Sequence, residues 1–72
     1  MGLKVGDKLR RFNEPVRHVI NVFEDDGNVL IVTKQWSREK QYWRYSVDYD
    51  WSFSKKFAWT VNQTKSQRSI DG

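Results

Sequence analysis

An all-β fold is predicted for this 72-residue chain by three observations. The stretch WRYSVDYDWSFS, residues 43–54, has an apolar residue at every odd position (Trp43, Tyr45, Val47, Tyr49, Trp51, Phe53) and a polar one at every even position. A period of two belongs to a β-strand with one apolar face. The segments VRHVINVF (16–23) and VLIVTKQW (29–36) are dense in β-branched residues and flank an Asp-Gly step, a strong hairpin signal. No window repeats apolar residues at helical spacing over three turns, so helix is limited to a single turn.

The elements follow in order. LKVGDKLRRF opens with a short strand in which Leu3, Val5 and Leu9 alternate with charged residues around a kink at Gly6-Asp7. Pro15 marks a turn, because its fixed φ and missing N–H do not suit a strand interior. Residues 16–23 form the next strand, EDDGN the hairpin turn, and 29–36 the partner strand. SREK is a polar loop of hairpin length that leads to a long strand starting at Gln41. Lys55-Lys56 ends that run, and FAWTV (57–61) restores the alternation as a last short strand. The tail, 62–72, has one apolar residue in eleven and is expected to be disordered, since it cannot bury enough surface to offset its ordering entropy. The chain therefore divides into one domain, 1–61, and a flexible tail, 62–72.

A domain this small buries only about 60% of its unfolded surface. Without cysteine it has neither disulfides nor thiolate metal sites, so four Trp, three Tyr and four Phe must supply the core. The odd stripe is expected to be core from Trp43 to Val47, with Tyr42 and Arg44 pointing outward. Six alternate positions span roughly 35 Å, too long for one small barrel, so some of Tyr49, Trp51 and Phe53 turn a corner or stay exposed. Parity does not resolve the two preceding strands. Val16, Ile20 and Val22 compete with Val19 and Phe23, and Val29 and Ile31 compete with Leu30, Val32 and Trp36. A sheet packed on both faces, or an apolar outer face used for homodimerisation, gives this pattern.

Five short strands joined by hairpin-length loops predict a small, strongly bent antiparallel sheet that closes on itself, with an open antiparallel sheet or an OB-like barrel as the second choice. The segment VGDKLRRF resembles the entering strand of SH3-like small barrels, including Tudor-like and KOW-like domains, where a Val-Gly-Asp step often precedes the first strand. The resemblance covers these eight residues and the strand count. It implies a five-stranded barrel with a one-turn helix before the last strand, near Ser52 to Lys56. It implies no particular activity, because such barrels host RNA, DNA, peptide and methylated-ligand binding alike.

Catalytic chemistry finds no support in the residues. His18 is the one histidine and reads as a partly buried strand residue without metal partners. Glu24, Asp25 and Asp26 form an acidic turn without calcium-loop spacing. Asp48 and Asp50 share a polar face with Arg44, Ser46 and Ser52 and read as cross-strand ion-pair partners. There is no Gly-rich phosphate loop, nucleophile elbow or Cys/His pairing. No cofactor, metal or enzymatic activity is expected, and with no membrane-helix or signal-peptide pattern a cytoplasmic protein is.

Thirteen Lys and Arg against nine Asp and Glu give a net charge of +4, unevenly spread. Residues 1–18 carry five positive and two negative charges, and residues 34–44 carry four positive and one negative. Basic residues interleave with aromatics, as in single-strand binders where Lys and Arg hold phosphates and aromatic rings stack bases. The expected surface comprises Arg10, Arg11, Arg17, Lys34, Arg38, Lys40 and Arg44, with Trp36 and Tyr42 stacking. The partner expected for it is single-stranded nucleic acid. The alternative is an acidic protein surface, as for a small phage or accessory protein that inhibits a host protein, since Arg and aromatics also dominate protein interfaces. A Tudor-like cage around a methylated cation, built from Tyr49, Trp51 and Asp50, is a third reading.

Overall fold

The structure, a computed structural model, describes residues 2–62. Five strands, β1 (Lys8–Arg10), β2 (Arg17–Asp25), β3 (Asn28–Ser37), β4 (Tyr42–Tyr49) and β5 (Thr60–Asn62), form one antiparallel sheet in the order β4-β3-β2-β1-β5. The all-β class holds, and the sheet is open, with β4 and β5 as its two edges. Among the described residues no helix is long and apolar enough to cross a membrane. The predicted tail lies outside the described residues except for Asn62, which belongs to β5.

The β2–β3 hairpin turns where the Asp-Gly step predicts. Asp25 pairs with Asn28 across Asp26 (φ 54°) and Gly27 (φ 80°). Two consecutive positive φ angles match the twist of the flanking strands, and glycine accepts one at no steric cost. The β3–β4 turn closes with the Gln41 N–H donating to the Ser37 carbonyl at 2.8 Å.

The opening strand is shorter than predicted, because Gly6 (φ 100°) turns the chain just before β1. Gly6 N–H donates to the Val19 carbonyl and Val19 N–H to the Asp7 carbonyl, each at 3.0 Å. The fully buried Asp7 side chain accepts the Lys4 N–H at 2.9 Å. The long strand also ends early, at Tyr49. Asp50–Phe53 and Lys55–Phe57 are single 3-10 turns, so only the end of FAWTV reaches β5. Ala58 (φ 68°) closes the second turn, its N–H donating to the Lys55 carbonyl at 2.9 Å.

The core comprises Leu9 of β1, Val19 of β2, Ile31 of β3, and Phe53 and Trp59 from the segment between β4 and β5. The last two rings meet edge to face, centroids 5.2 Å apart, a favoured aromatic geometry. The expectation that Trp43, Tyr45 and Val47 are core is overturned: they are 37%, 63% and 57% exposed. The cause is what lies opposite. The even side chains of β4 face the core side, where Ser46 Oγ meets Thr33 Oγ1 at 3.1 Å and accepts from Arg17 Nη1 at 3.0 Å. The odd face therefore looks outward.

A bulge resolves the parity conflict in β2. The pairing with β3 shifts between Val19 and Asn21, so two residues on β2 oppose one step on β3. Arg17 and Val19 lie on the core face before the bulge, Val22 after it, and Asn21 and Phe23 turn outward. β3 has no such break: Ile31, Thr33 and Gln35 are buried on one face, while Leu30, Val32 and Trp36 share the other.

Candidate nucleic-acid interface

The register assembles the outer face from strands that lie far apart in sequence. Trp36 pairs with Trp43, Lys34 with Tyr45 and His18, and His18 with Lys8. The two Trp rings meet edge to face at 5.3 Å, and His18 meets Trp43 likewise at 5.7 Å. Lys34 Nζ lies over the Trp43 ring, 4.4 Å from its centroid. Arg10 has the same parity as Lys8 in β1, so it joins this face. Arg38 and Lys40 lie in the exposed β3–β4 turn at the same end. Glu24, Asp25 and Asp26 lie at the opposite end of the hairpin. The face thus has a basic, aromatic end and an acidic end, separated by Val32, Val47, Leu30 and Tyr49.

Of the residues expected to bind, Arg10, Lys34, Trp36, Arg38 and Lys40 gather at this end. Arg11, Arg17, Tyr42 and Arg44 do not share its face. Arg17 and Arg44 stand on the core side, paired through Gln35, and Tyr42 has their parity. Arg11 and Arg17 stack on Trp59, their guanidinium carbons 4.2 and 5.3 Å from its ring. Both already hold acidic partners, Arg11 with Glu14 at 2.8 Å and Arg17 with Asp48 at 3.8 Å. Arg17 Nε is buried with no hydrogen-bond partner. These two cations line a cleft of about 220 Å³ with Trp51, Phe57, Trp59 and Asp48. By contrast, Lys8, Arg10, Lys34, Arg38, Lys40 and Arg44 have no ion pair among the described residues.

A second hollow, of about 450 Å³, lies at the turn end and brings Trp36, Arg38 and Arg44 together with Asn13, Glu14 and Gln35. It joins the outer face to the core side around the end of the sheet. Tyr49 and Trp51 stack at 5.4 Å with planes 11° apart, near Phe57. Asp50 opens the 3-10 turn between them.

Sequence reasoning missed Trp43, Tyr45, Lys8 and His18. Their signal was available in β3, whose even positions are as apolar as its odd ones. A strand apolar on both faces in a single sheet must present one of them to solvent or to a partner.

Electrostatics mark the same end. Burial, and then the positive charges of Lys8 and Lys34, push the His18 imidazole below its ordinary value of 6.5. Around Glu14 burial pulls upward, but the Arg11 hydrogen bond and charge outweigh it and hold the carboxyl below its ordinary 4.5. His18 therefore favours its neutral form, set in register between Lys8 and Lys34, which have no ion pair among the described residues. No group of acidic or histidine side chains able to hold a metal exists among the described residues.

No family model, curated protein or solved structure matches the chain.

Proposed function

We propose that the chain is a small, non-enzymatic, cytoplasmic binding module that takes single-stranded nucleic acid across the outer face of its sheet. The observation that carries this reading is the coincidence of exposed rings and unpaired cations. Trp36, Trp43 and Tyr45 lie exposed in register with Lys34, and Lys8, Arg10, Arg38 and Lys40 surround them. Stacking on such rings contributes about 1–3 kcal/mol per base and tolerates any base. The cations hold the phosphates between stacked bases, and the acidic turn at the far end orients the strand away from it. The strand order β4-β3-β2-β1-β5, with 3-10 turns between β4 and β5, supports extending the SH3-like resemblance to the whole domain.

Fluorescence anisotropy with labelled oligo-dT and oligo-U tests the reading. Binding tighter than about 10 μM in about 50 mM salt is expected, weakening with a log–log slope near 0.7 per phosphate neutralised. Lys34→Ala lowers that slope, whereas Trp36→Ala weakens binding and leaves it nearly unchanged. Absence of binding at that threshold overturns the proposal.

One observation favours a second reading, a protein partner. Between the two charged ends, Leu30, Val32, Val47 and Tyr49 form a patch without charge, which suits a protein surface better than a phosphate backbone. A small accessory protein that inhibits a host protein would use this patch with Arg and Trp anchors. It predicts no oligonucleotide retention at low salt and capture with weak salt dependence.

A further inference from the structure

The edge strand β4 has Arg44 and Asp48 as its only charged side chains and lacks the other devices that keep such edges single. It has eight residues, pairs with β3 without a bulge, and contains neither proline nor lysine. Its outer edge presents unpaired backbone N–H and C=O groups over that length, a template for another strand. The other edge, β5, comprises three of the described residues.

The sequence of β4 is complementary to itself. When two copies are set antiparallel about a two-fold axis at Ser46, Arg44 opposes the second copy's Asp48, and Asp48 opposes the second copy's Arg44. On the other face Tyr45 opposes Val47, and Trp43 opposes Tyr49. Centring the axis on Arg44 or Asp48 would set like charges face to face, which destabilises a pair. Centring it on Tyr45 or Val47 opposes Arg44 or Asp48 to Ser46 and leaves no ion pair within the strand. Within β4, only the Ser46 register opposes unlike charges while keeping the apolar face apolar.

Arg44 is free for this role, and Asp48 would share its carboxylate with Arg17. Arg44 is exposed and has no ion pair among the described residues, while Asp48 is half-buried and 3.8 Å from its one cation, Arg17. We propose that the protein forms a symmetric homodimer by pairing β4 with β4 of a second copy about Ser46. Two-fold symmetry makes each contact occur twice, the usual form of a closed dimer. The two sheets then run on as one, and the apolar row Trp43, Tyr45, Val47 and Tyr49 meets its own copy across the join. The dimer rests on the edge strand and does not depend on the nucleic-acid reading.

Sedimentation equilibrium of the full chain, up to about 500 μM, tests the proposal. A concentration-dependent dimer is expected, and Arg44→Asp or Asp48→Arg alone should raise its dissociation constant at least about tenfold. In an equimolar mixture of those two variants both opposed pairs are attractive again, so the mixture should dimerise where each variant alone does not. Circular dichroism confirms that each variant is folded. Independently, Ser46→Cys in this cysteine-free chain should cross-link on mild oxidation, because directly opposed residues lie within about 4.5–5.5 Å. Tyr42→Cys should not, since the two copies would hold it roughly 25 Å apart. A chain monomeric throughout this range, a dimer that both charge variants leave intact, or a folded Ser46→Cys chain that fails to cross-link overturns the proposal.

Discussion

The two tryptophans Trp59 and Trp43 separate core from platform, and truncating each gives a different cost. Trp59 is only 5% exposed and is packed between Phe53 and the guanidinium groups of Arg11 and Arg17. Trp59→Ala opens a cavity in a core of five buried apolar side chains, which typically costs about 3–5 kcal/mol. A domain of about 60 residues holds roughly 3–9 kcal/mol in all, so this variant should be largely unfolded or close to it at 25 °C. Trp43 is 37% exposed, and water fills the space its truncation leaves. Only its cross-strand contacts with Trp36, Lys34 and His18 are lost, at about 0.2–1 kcal/mol per pair, or about 0.6–3 kcal/mol together. Urea unfolding followed by far-ultraviolet circular dichroism measures both. If Trp43→Ala costs as much as Trp59→Ala, the odd face of β4 is core after all and the orientation of the sheet is wrong.

Four further outcomes follow from named positions. Gly27→Ala should cost about 1 kcal/mol, read from the urea midpoint, because a Cβ there meets nothing within 4 Å and only its φ of 80° is strained. Asp7→Ala should cost about 1–3 kcal/mol by the same measurement, since it leaves the Lys4 N–H without its acceptor. The lowered His18 value means that the unfolded chain binds its proton more readily, so stability is full above pH 6.5 and falls as pH drops below it. The depressed Glu14 value works in the same direction but only below pH 4.5, so His18→Gln should flatten the upper part of the profile and leave the lower part. Finally, an oligonucleotide phosphate beside Lys8, His18 and Lys34 should raise the His18 midpoint in an NMR titration, and an unmoved midpoint in the saturated complex would place the strand elsewhere.

Local chemistry alone determined much of this protein. Alternation in the strands, the Asp26-Gly27 step and the absence of helical spacing lead to an antiparallel all-β domain, because each of these acts over a few neighbouring residues. The clustering of Lys34, Trp36, Arg38 and Lys40 was equally legible, since one strand end and its turn carry all four. Which face of β4 is buried was not. Alternation states that a strand has two unlike faces, and the more apolar one is ordinarily the buried one. Here the core is completed by Phe53 and Trp59, which arrive from the 3-10 segment and cover Leu9, Val19 and Ile31. Arg44, Ser46 and Asp48 then line the polar flank of that core, and Trp43, Tyr45 and Val47 face outward. Only the tertiary structure decides this, because it depends on where a distant segment crosses the sheet. The bulge between Val19 and Asn21 likewise reverses the parity of β2 without a mark in its sequence, for it is set by the register with β3.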